Sequence, residues 1–332
     1  MKFLVIPSNR PDNLREFFAA WQGKGGWDSV VIIEDAPEHH KGNLDAPVGS
    51  TRYCWQNIDR ILGDDAWIIS REDSAIRSFG FLAAWHLGAT SVLTLDDDCF
   101  PYYDGIKLDD DQGGATNLFD AHLSTFQSCP VWQYSVRDQR TRGIPYKNRG
   151  TLSGIKVNVG LWTNIGDWDS VQERPEGYFT PPFENRIIPY GVLTAMCGMN
   201  LCFLREAIPL MYFPLMGRGS PYRRFDDIWA GVIVKTIMDK LGWKMSVGEP
   251  FVEHRRASDP EVNRIKEKPG IEANEWFWEE IVKAADGWRR NNPTDYVHRL
   301  GHELIHHNKN YMAQLGRALQ VWAGLFDKKL EF

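Results

Sequence analysis

Ser91-Val92-Leu93-Thr94-Leu95-Asp96-Asp97-Asp98-Cys99-Phe100 runs from an apolar stretch straight into three adjacent carboxylates. A short apolar run without alternation suits a strand buried on both faces, and such strands belong to parallel sheets covered by helices. The carboxylates then mark the strand's C-terminal end, which is where open α/β sheets hold their ligands. Side chains alternate along an extended chain, so the spacing directs Asp96 and Asp98 one way and Asp97 the other. Three like charges side by side repel, and burying them is unfavourable without a cation. Magnesium and manganese take oxygen ligands, commonly one or two carboxylates completed by phosphate oxygens. The stretch points to a site for a metal-bound diphosphate. A solvated acidic turn is the plainer alternative from these residues alone.

Working outward, the N-terminal side repeats the pattern. Residues 3–6 and 30–33 read as two more buried strands, the second ending in Glu34-Asp35, and Trp67-Ile68-Ile69 reads as a third. Between them Leu14, Phe17, Phe18 and Trp21 share one helical face behind Asp12. Ile76, Phe79, Leu82, Ala83 and Leu87 share another, with Asp73 or Ser74 as its cap and Gly88 as its end. Strands alternating with helices predict an α/β fold with a mostly parallel central sheet. Further on, the sequence predicts a helix over 117–126, a strand over 195–201 with a close backbone approach at Gly198, and a helix over 225–241 opened by Asp226-Asp227. After Pro269 the pattern is helical, over 272–290 and 294–326, split by Asn291-Asn292-Pro293. The expected organisation is a catalytic domain over residues 1–270 and a helical C-terminal extension over 271–332.

The chain's 332 residues are 43% hydrophobic and 25% charged, ordinary for a globular protein. A net charge of −6 argues against blanketing nucleic acid. The apolar part of residues 1–7 is too short for a signal peptide, and no apolar stretch reaches the length of a bilayer. Cys54, Cys99, Cys129, Cys197 and Cys202 show no zinc spacing; five scattered cysteines suit reduced thiols in the cytoplasm. Ile6-Pro7-Ser8-Asn9-Arg10 stands where a dinucleotide-binding glycine motif would follow the first strand, and no Gly-rich Lys-Ser/Thr loop occurs. His302-Glu303-Leu304-Ile305-His306 fits the zinc-protease pattern. However, at about 100° per residue its histidines project roughly 200° and 240° from Leu300, away from the helix's apolar stripe. That is a solvated face, not a cleft.

The candidate site residues follow from strand ends and helix starts. Asp35 ends the second strand and suits a ribose hydroxyl or a base N–H, with a polar turn before Pro37 as the alternative. Arg77 precedes the acidic strand, and Arg137, Arg140, Arg142, Lys147 and Arg149 cluster downstream; guanidinium forks match phosphate oxygens. Asp96 and Asp98, joined by His254, make the expected metal shell, with Asp97, Asp35 and Arg77 on the nucleotide side. Asp226 and Asp227 suit a base or a stabiliser of a cationic sugar centre, though the helix dipole alone favours acids in a first turn.

Taken together these residues resemble the reversibly glycosylated polypeptides, also known as UDP-arabinopyranose mutases and best known from plants. The matching pieces are Arg77-Ser78-Phe79-Gly80, Asp96-Asp97-Asp98-Cys99, Arg142-Gly143-Ile144-Pro145-Tyr146 and Val159-Gly160-Leu161-Trp162-Thr163-Asn164-Ile165. They continue with Met196-Cys197-Gly198-Met199-Asn200-Leu201, Met211-Tyr212-Phe213, Leu215-Met216-Gly217, Asp226-Asp227-Ile228-Trp229-Ala230-Gly231, and His254 ahead of Ala257-Ser258-Asp259-Pro260. The resemblance covers most of residues 1–270 and matches the helical tail poorly. It implies a GT-A-like nucleotide-sugar fold, a divalent cation (Mn²⁺ or Mg²⁺), and interconversion of UDP-L-arabinopyranose with UDP-L-arabinofuranose. It also implies reversible attachment of a sugar to an arginine, by motif Arg142, with a second required arginine at Arg149. Lys147-Asn148 departs from the family's usual residues in that loop. The alternatives are a metal-dependent glycosyltransferase with a separate acceptor and a non-catalytic UDP-sugar-binding scaffold. Apolar faces on the terminal helices suit either a homo-oligomer or packing on the chain's own core.

Overall fold

The computed structural model describes residues 1–41, 44–102, 117–126, 129–130, 151–152, 154–164, 185–255, 259–288 and 292–332. Its first half is built from β1 (Lys2–Ser8), α1 (Pro11–Trp21), β2 (Ser29–Glu34), β3 (Thr51–Tyr53), α2 (Trp55–Leu62), α3 (Arg77–His86), β4 (Ser91–Leu95) and β5 (Cys99–Pro101). There follow α4 (Leu118–Thr125), β6 (Cys129–Pro130), β7 (Thr151–Leu152), β8 (Ile155–Asn164), β9 (Arg186–Ile187) and β10 (Asn200–Leu204). The chain continues through α5 (Asp226–Leu241), β11 (Lys244–His254), α6 (Pro260–Ala284), α7 (Pro293–Leu304) and α8 (Asn310–Leu325).

The central sheet has the order β3-β2-β1-β4-β10-β8-β11-β5, with β9 also on β11. Strands β3, β2, β1 and β4 are mutually parallel. Strand β10 runs against both β4 and β8, and β8 and β11 are parallel to each other, so β11 ends at the same edge as β4. In β1, Phe3 and Val5 enter one hydrophobic cluster with α3, while Leu4 and Ile6 enter a second with α1. Both faces are therefore covered, which is why β1, β2 and β4 are apolar at successive positions.

Several elements differ from the sequence expectation. Residues 67–69 do not form the third strand: Trp67 and Ile68 close a 3₁₀ turn, and Thr51–Tyr53 pairs with β2 instead. The strand expected over 195–201 begins only at Asn200, because residues 195–199 form a loop over the sheet edge. The single helix expected over 294–326 is two, broken at the polar segment His306-His307-Asn308-Lys309. Helix α6 runs across residue 270 with Pro269 in its interior. The terminal helices turn their apolar faces onto the chain's own core. Trp322 is fully buried and donates from Nε1 to the Pro209 carbonyl at 2.8 Å, and Trp229 stacks on Phe277 at 4.2 Å. His302 and His306 lie on the exposed side of their helix turn.

A buried polar network fixes the far half of the sheet. Strand β11 slips register against β8 between Gly248 and Val252, which takes Glu249 and Pro250 off the ladder. Their carbonyls accept from Asn158 Nδ2 at 2.9 Å and Asn200 Nδ2 at 2.7 Å. His122 ties the two amides together: Nε2 donates to Asn200 Oδ1 and Nδ1 accepts from Asn158 Nδ2, each at 2.8 Å. Burial holds this imidazole down to about 4, against an ordinary value of 6.5. Between those values the unfolded chain binds a proton that the folded chain refuses. Stability present above pH 6.5 is therefore lost as pH falls toward 4, by about 3 kcal/mol. In His122→Gln this titration is absent. The difference in urea unfolding free energy between wild type and variant should narrow by about 3 kcal/mol from pH 7 to pH 4. A constant difference would contradict a neutral, buried His122.

Candidate functional site

Parallel strands bring their C-terminal ends to one edge. The register sets Ser8 opposite Glu34 and Val5 opposite Thr94, so Ser8-Asn9-Arg10, Glu34-Asp35 and Asp96-Asp97-Asp98 sit together there. The end of β11 adds His254, the loop before β10 adds Ala195, Cys197, Gly198 and Met199, and the start of α5 adds Asp226 and Asp227. Together they enclose a cavity of about 490 Å³, in the range of small-molecule sites.

The acidic trio does not continue the extended strand. Strand β4 ends at Leu95 and the chain turns, with the Cys99 N–H donating to the Asp96 carbonyl at 3.1 Å. Two-residue alternation stops with the strand, so the expected separation of Asp97 from Asp96 and Asp98 does not form. Each carboxylate instead has its own neighbour. Asp96 pairs with Arg77, Asp97 with both Arg10 and Ser8, and Asp98 Oδ1 lies 4.0 Å from His254 Nε2 with Arg10 3.7 Å from its other oxygen. Burial works to raise the Asp96 carboxyl, but the Arg77 guanidinium prevails and holds it below its usual value. For Asp97 burial prevails over Arg10 and Ser8 and pushes the carboxyl up to about 6. Two arginines thus supply counter-charge that the sequence alone assigned to a metal.

Arg77 is only 1% exposed. Its Nη1 donates to the Gly198 carbonyl at 2.6 Å and to Thr94 Oγ1 at 3.1 Å, and Nε donates to the Ser74 carbonyl at 3.1 Å. A Cβ at Gly198 would collide with this guanidinium, which explains the close approach expected there. Arg77 therefore sits beneath the trio and fixes Asp96. Asp35 lines the cavity while accepting from Trp55 Nε1 at 2.8 Å and the Glu72 N–H at 3.0 Å, and burial raises its carboxyl. Glu34 points the other way, fully buried against Arg52. Asp226 is 2% exposed and accepts from Ser74 Oγ at 2.9 Å; Asp227 accepts from the Ile228 N–H at 2.7 Å. Arg142 and Arg149 lie outside the described residues, as does the rest of the basic cluster.

The structure adds residues that the sequence reading left aside. Arg10 and Ser8 hold Asp97, and Asp73 and Arg224 line the wall beside Asp226. The signal for Ser8-Asn9-Arg10 was available: it ends the strand beside β4, so the strand-end rule that singles out Asp96 applies to it equally. Asp73 gave only a capping signal, which it fulfils by accepting from the Ala75 N–H at 3.2 Å.

A divalent cation fits part of this arrangement. Among the described residues no three His, Cys, Asp or Glu side chains are grouped so as to hold a metal by themselves. Asp98 and His254 form a nearly buried oxygen–nitrogen pair facing the cavity, with Asp96 in the same lining. Magnesium-type sites commonly use one or two protein ligands and take the remainder from substrate phosphates and water. Electrostatics favours a cation as well. The described lining carries nine carboxylate side chains against five from arginine and lysine, a hostile setting for a diphosphate alone.

Sheet and cavity define a mixed α/β protein with a large polar cavity at the C-terminal edge of a mostly parallel sheet. The family model for reversibly glycosylated polypeptides matches residues 3–329, and the chain belongs to that family. Among its relatives, UDP-arabinopyranose mutase 3 of Arabidopsis thaliana is 36% identical over 83% of this chain and 75% of its own. Probable UDP-arabinopyranose mutase 1 of Pisum sativum is 33% identical over 98% of this chain and 90% of its own, and probable UDP-arabinopyranose mutase 2 of Solanum tuberosum is 35% identical over 98% and 89%. No helix among the described residues is long and apolar enough to cross a membrane.

Proposed function

We propose that this chain is a UDP-arabinopyranose mutase, interconverting UDP-L-arabinopyranose and UDP-L-arabinofuranose without a separate acceptor. Family membership over nearly the whole chain carries the reading, together with relatives of that name at 33–36% identity. The cavity's position and charge support it, and the proposed architecture is a GT-A-like nucleotide-sugar fold. Asp35 takes the ribose side and Asp98 and His254 the diphosphate side, with Arg77 fixing Asp96 and Arg10 fixing Asp97 between them. A divalent ion, Mn²⁺ or Mg²⁺, held by Asp98 and His254 with Asp96 alongside, would neutralise charge on the departing diphosphate. Asp227 faces the sugar, whose cationic centre a carboxylate stabilises.

Arg142 is the proposed site of reversible sugar attachment, with Arg149 as its second arginine. A guanidinium holds its proton above about pH 12 and is a weak nucleophile, so attachment needs a neighbouring carboxylate and a strongly electrophilic sugar carbon. Arg142→Ala should leave the protein unlabelled after incubation with a radiolabelled UDP-sugar. If the same variant isomerises the nucleotide sugar at the wild-type rate, attachment is not an obligatory step.

The function is tested by incubating the purified chain with UDP-L-arabinofuranose and Mn²⁺, beside a sample with EDTA, and separating the nucleotide sugars. The pyranose form should appear only with the cation. Slow release of UDP with no ring isomer would overturn the reading in favour of a transferase lacking its acceptor.

A further inference from the structure

Exchanging a six-membered sugar ring for a five-membered one has a proton requirement that leaving-group chemistry does not meet. The 4-hydroxyl must lose a proton as its oxygen bonds the anomeric carbon. The 5-oxygen must gain one as its bond to that carbon breaks. The reaction therefore needs a base and an acid at the sugar, interchangeable because it runs both ways.

The cavity wall away from the acidic trio offers such a pair. Asp73 caps the 3₁₀ turn Ser74–Ile76 that leads into α3, and Asp226 opens α5; both line the cavity. Asp73 is anchored by the N–H groups of Ala75 at 3.2 Å and Arg224 at 3.3 Å, and Asp226 by Ser74 Oγ at 2.9 Å. All three of these contacts come from neutral donor groups, while the charges of Arg77 and Arg224 also act on the pair. Glu72 and Arg224, which flank the pair in sequence, both hold positive φ, 59° and 61°. That conformation is costly for side chains of this kind and is retained where surrounding contacts demand it.

We propose, resting on the mutase reading, that Asp73 and Asp226 act as a proton-sharing carboxyl pair that carries the ring exchange. The bond from the anomeric carbon to the diphosphate breaks with its electron pair on the diphosphate. The sugar 4-oxygen bonds the anomeric carbon with its own lone pair and passes its proton to the ionised carboxylate of the pair. The bond from that carbon to the 5-oxygen then breaks with its pair on oxygen, which takes the proton from the neutral carboxyl. The diphosphate returns its pair to the anomeric carbon. One proton has moved from the 4-oxygen to the 5-oxygen and the pair's total is unchanged, so nothing else is consumed. Burial is consistent with one retained proton: burial first, then the charge of Asp226, raises Asp73, and burial raises Asp226 against the pull of Arg77.

The test separates cleavage from ring exchange. UDP-L-arabinofuranose carries oxygen-18 between the anomeric carbon and the β-phosphorus. Bond cleavage lets the label move to a non-bridging position, and chromatography reports the ring form. In Asp73→Asn and Asp226→Asn the label should still move, while ring exchange falls at least about 100-fold. Retained label movement also shows that each variant folds and binds. Ring exchange at the wild-type rate in both variants overturns the pair. Loss of label movement together with ring exchange in both also overturns it, because the carboxyls would then serve the leaving group or the fold. Absence of ring exchange in wild type is a separate result, which overturns the mutase reading itself.

Discussion

Asp98→Asn should lower turnover of the UDP-sugar by on the order of 10²–10³ while leaving the fold intact. Asp98 lies between Arg10 at 3.7 Å and His254 at 4.0 Å and faces the cavity. The amide keeps the side chain's volume and removes its charge, and the charge is what a diphosphate-bound cation requires. Stability should not fall much, because Asp98 adds a like charge beside Asp97 and Asp96, and relieving that repulsion offsets lost pairing with Arg10. Two measurements check this: the steady-state rate, and the Mn²⁺ concentration for half-maximal activity, which should rise. His254→Gln should move the same two quantities in the same direction. A turnover within about threefold of wild type would remove Asp98 from the proposed diphosphate site.

Arg77→Ala should destabilise the protein by about 3 kcal/mol, the lower end of the range for removing one partner of a buried ion pair, because the Asp96 side chain is 30% exposed. The guanidinium is 1% exposed and serves Asp96, Thr94 and two backbone carbonyls from different elements. Removing it strands Asp96 without its partner and leaves the Gly198 carbonyl facing a void. Lysine should recover only part of the loss, because one ammonium cannot reproduce a planar fork with three separate directions. Urea midpoints for Ala and Lys variants check the ordering. A loss below about 1 kcal/mol for Ala would mean that the cluster beneath the acidic trio is held by something else.

The sheet's first half was legible because physical requirements write themselves into local sequence there. Strands β1, β2 and β4 are buried on both faces, so each is an unbroken apolar run, and α1 and α3 carry the matching helical stripes. The second half was less legible. Strand β11 carries Glu249-Pro250 at a register break and Glu253 near its end, which interrupts any apolar run. The network that stabilises the break, from His122 to Asn158 and Asn200, joins residues far apart in the chain, so no local signal announces it. Trp67-Ile68-Ile69 shows the opposite failure: apolar side chains over three residues do not distinguish a strand from a 3₁₀ turn that buries Ile68 and Ile69 and leaves Trp67 exposed.

Much of the candidate site was visible as positions and little of it as partners. Asp35, Asp96, Asp97, Asp98, Asp226, Asp227 and His254 all line the cavity, as strand ends and a helix start suggested. Which charge meets which was hidden, because Arg10 and Arg77 reach the trio from β1's end and from α3. Asp73 was hidden by its capping role, which explains it locally and conceals its nearness to Asp226.

The most direct test uses two reactions from opposite directions. One begins with UDP-L-arabinopyranose and the other with UDP-L-arabinofuranose, each with the purified chain, Mn²⁺ and no acceptor, followed by chromatography until neither changes. Both should converge on one mixture of the two ring forms with the total nucleotide sugar conserved. Failure of either reaction to form the other ring, with free UDP accumulating instead, would contradict an enzyme that cleaves and re-forms the sugar–diphosphate bond within a single substrate.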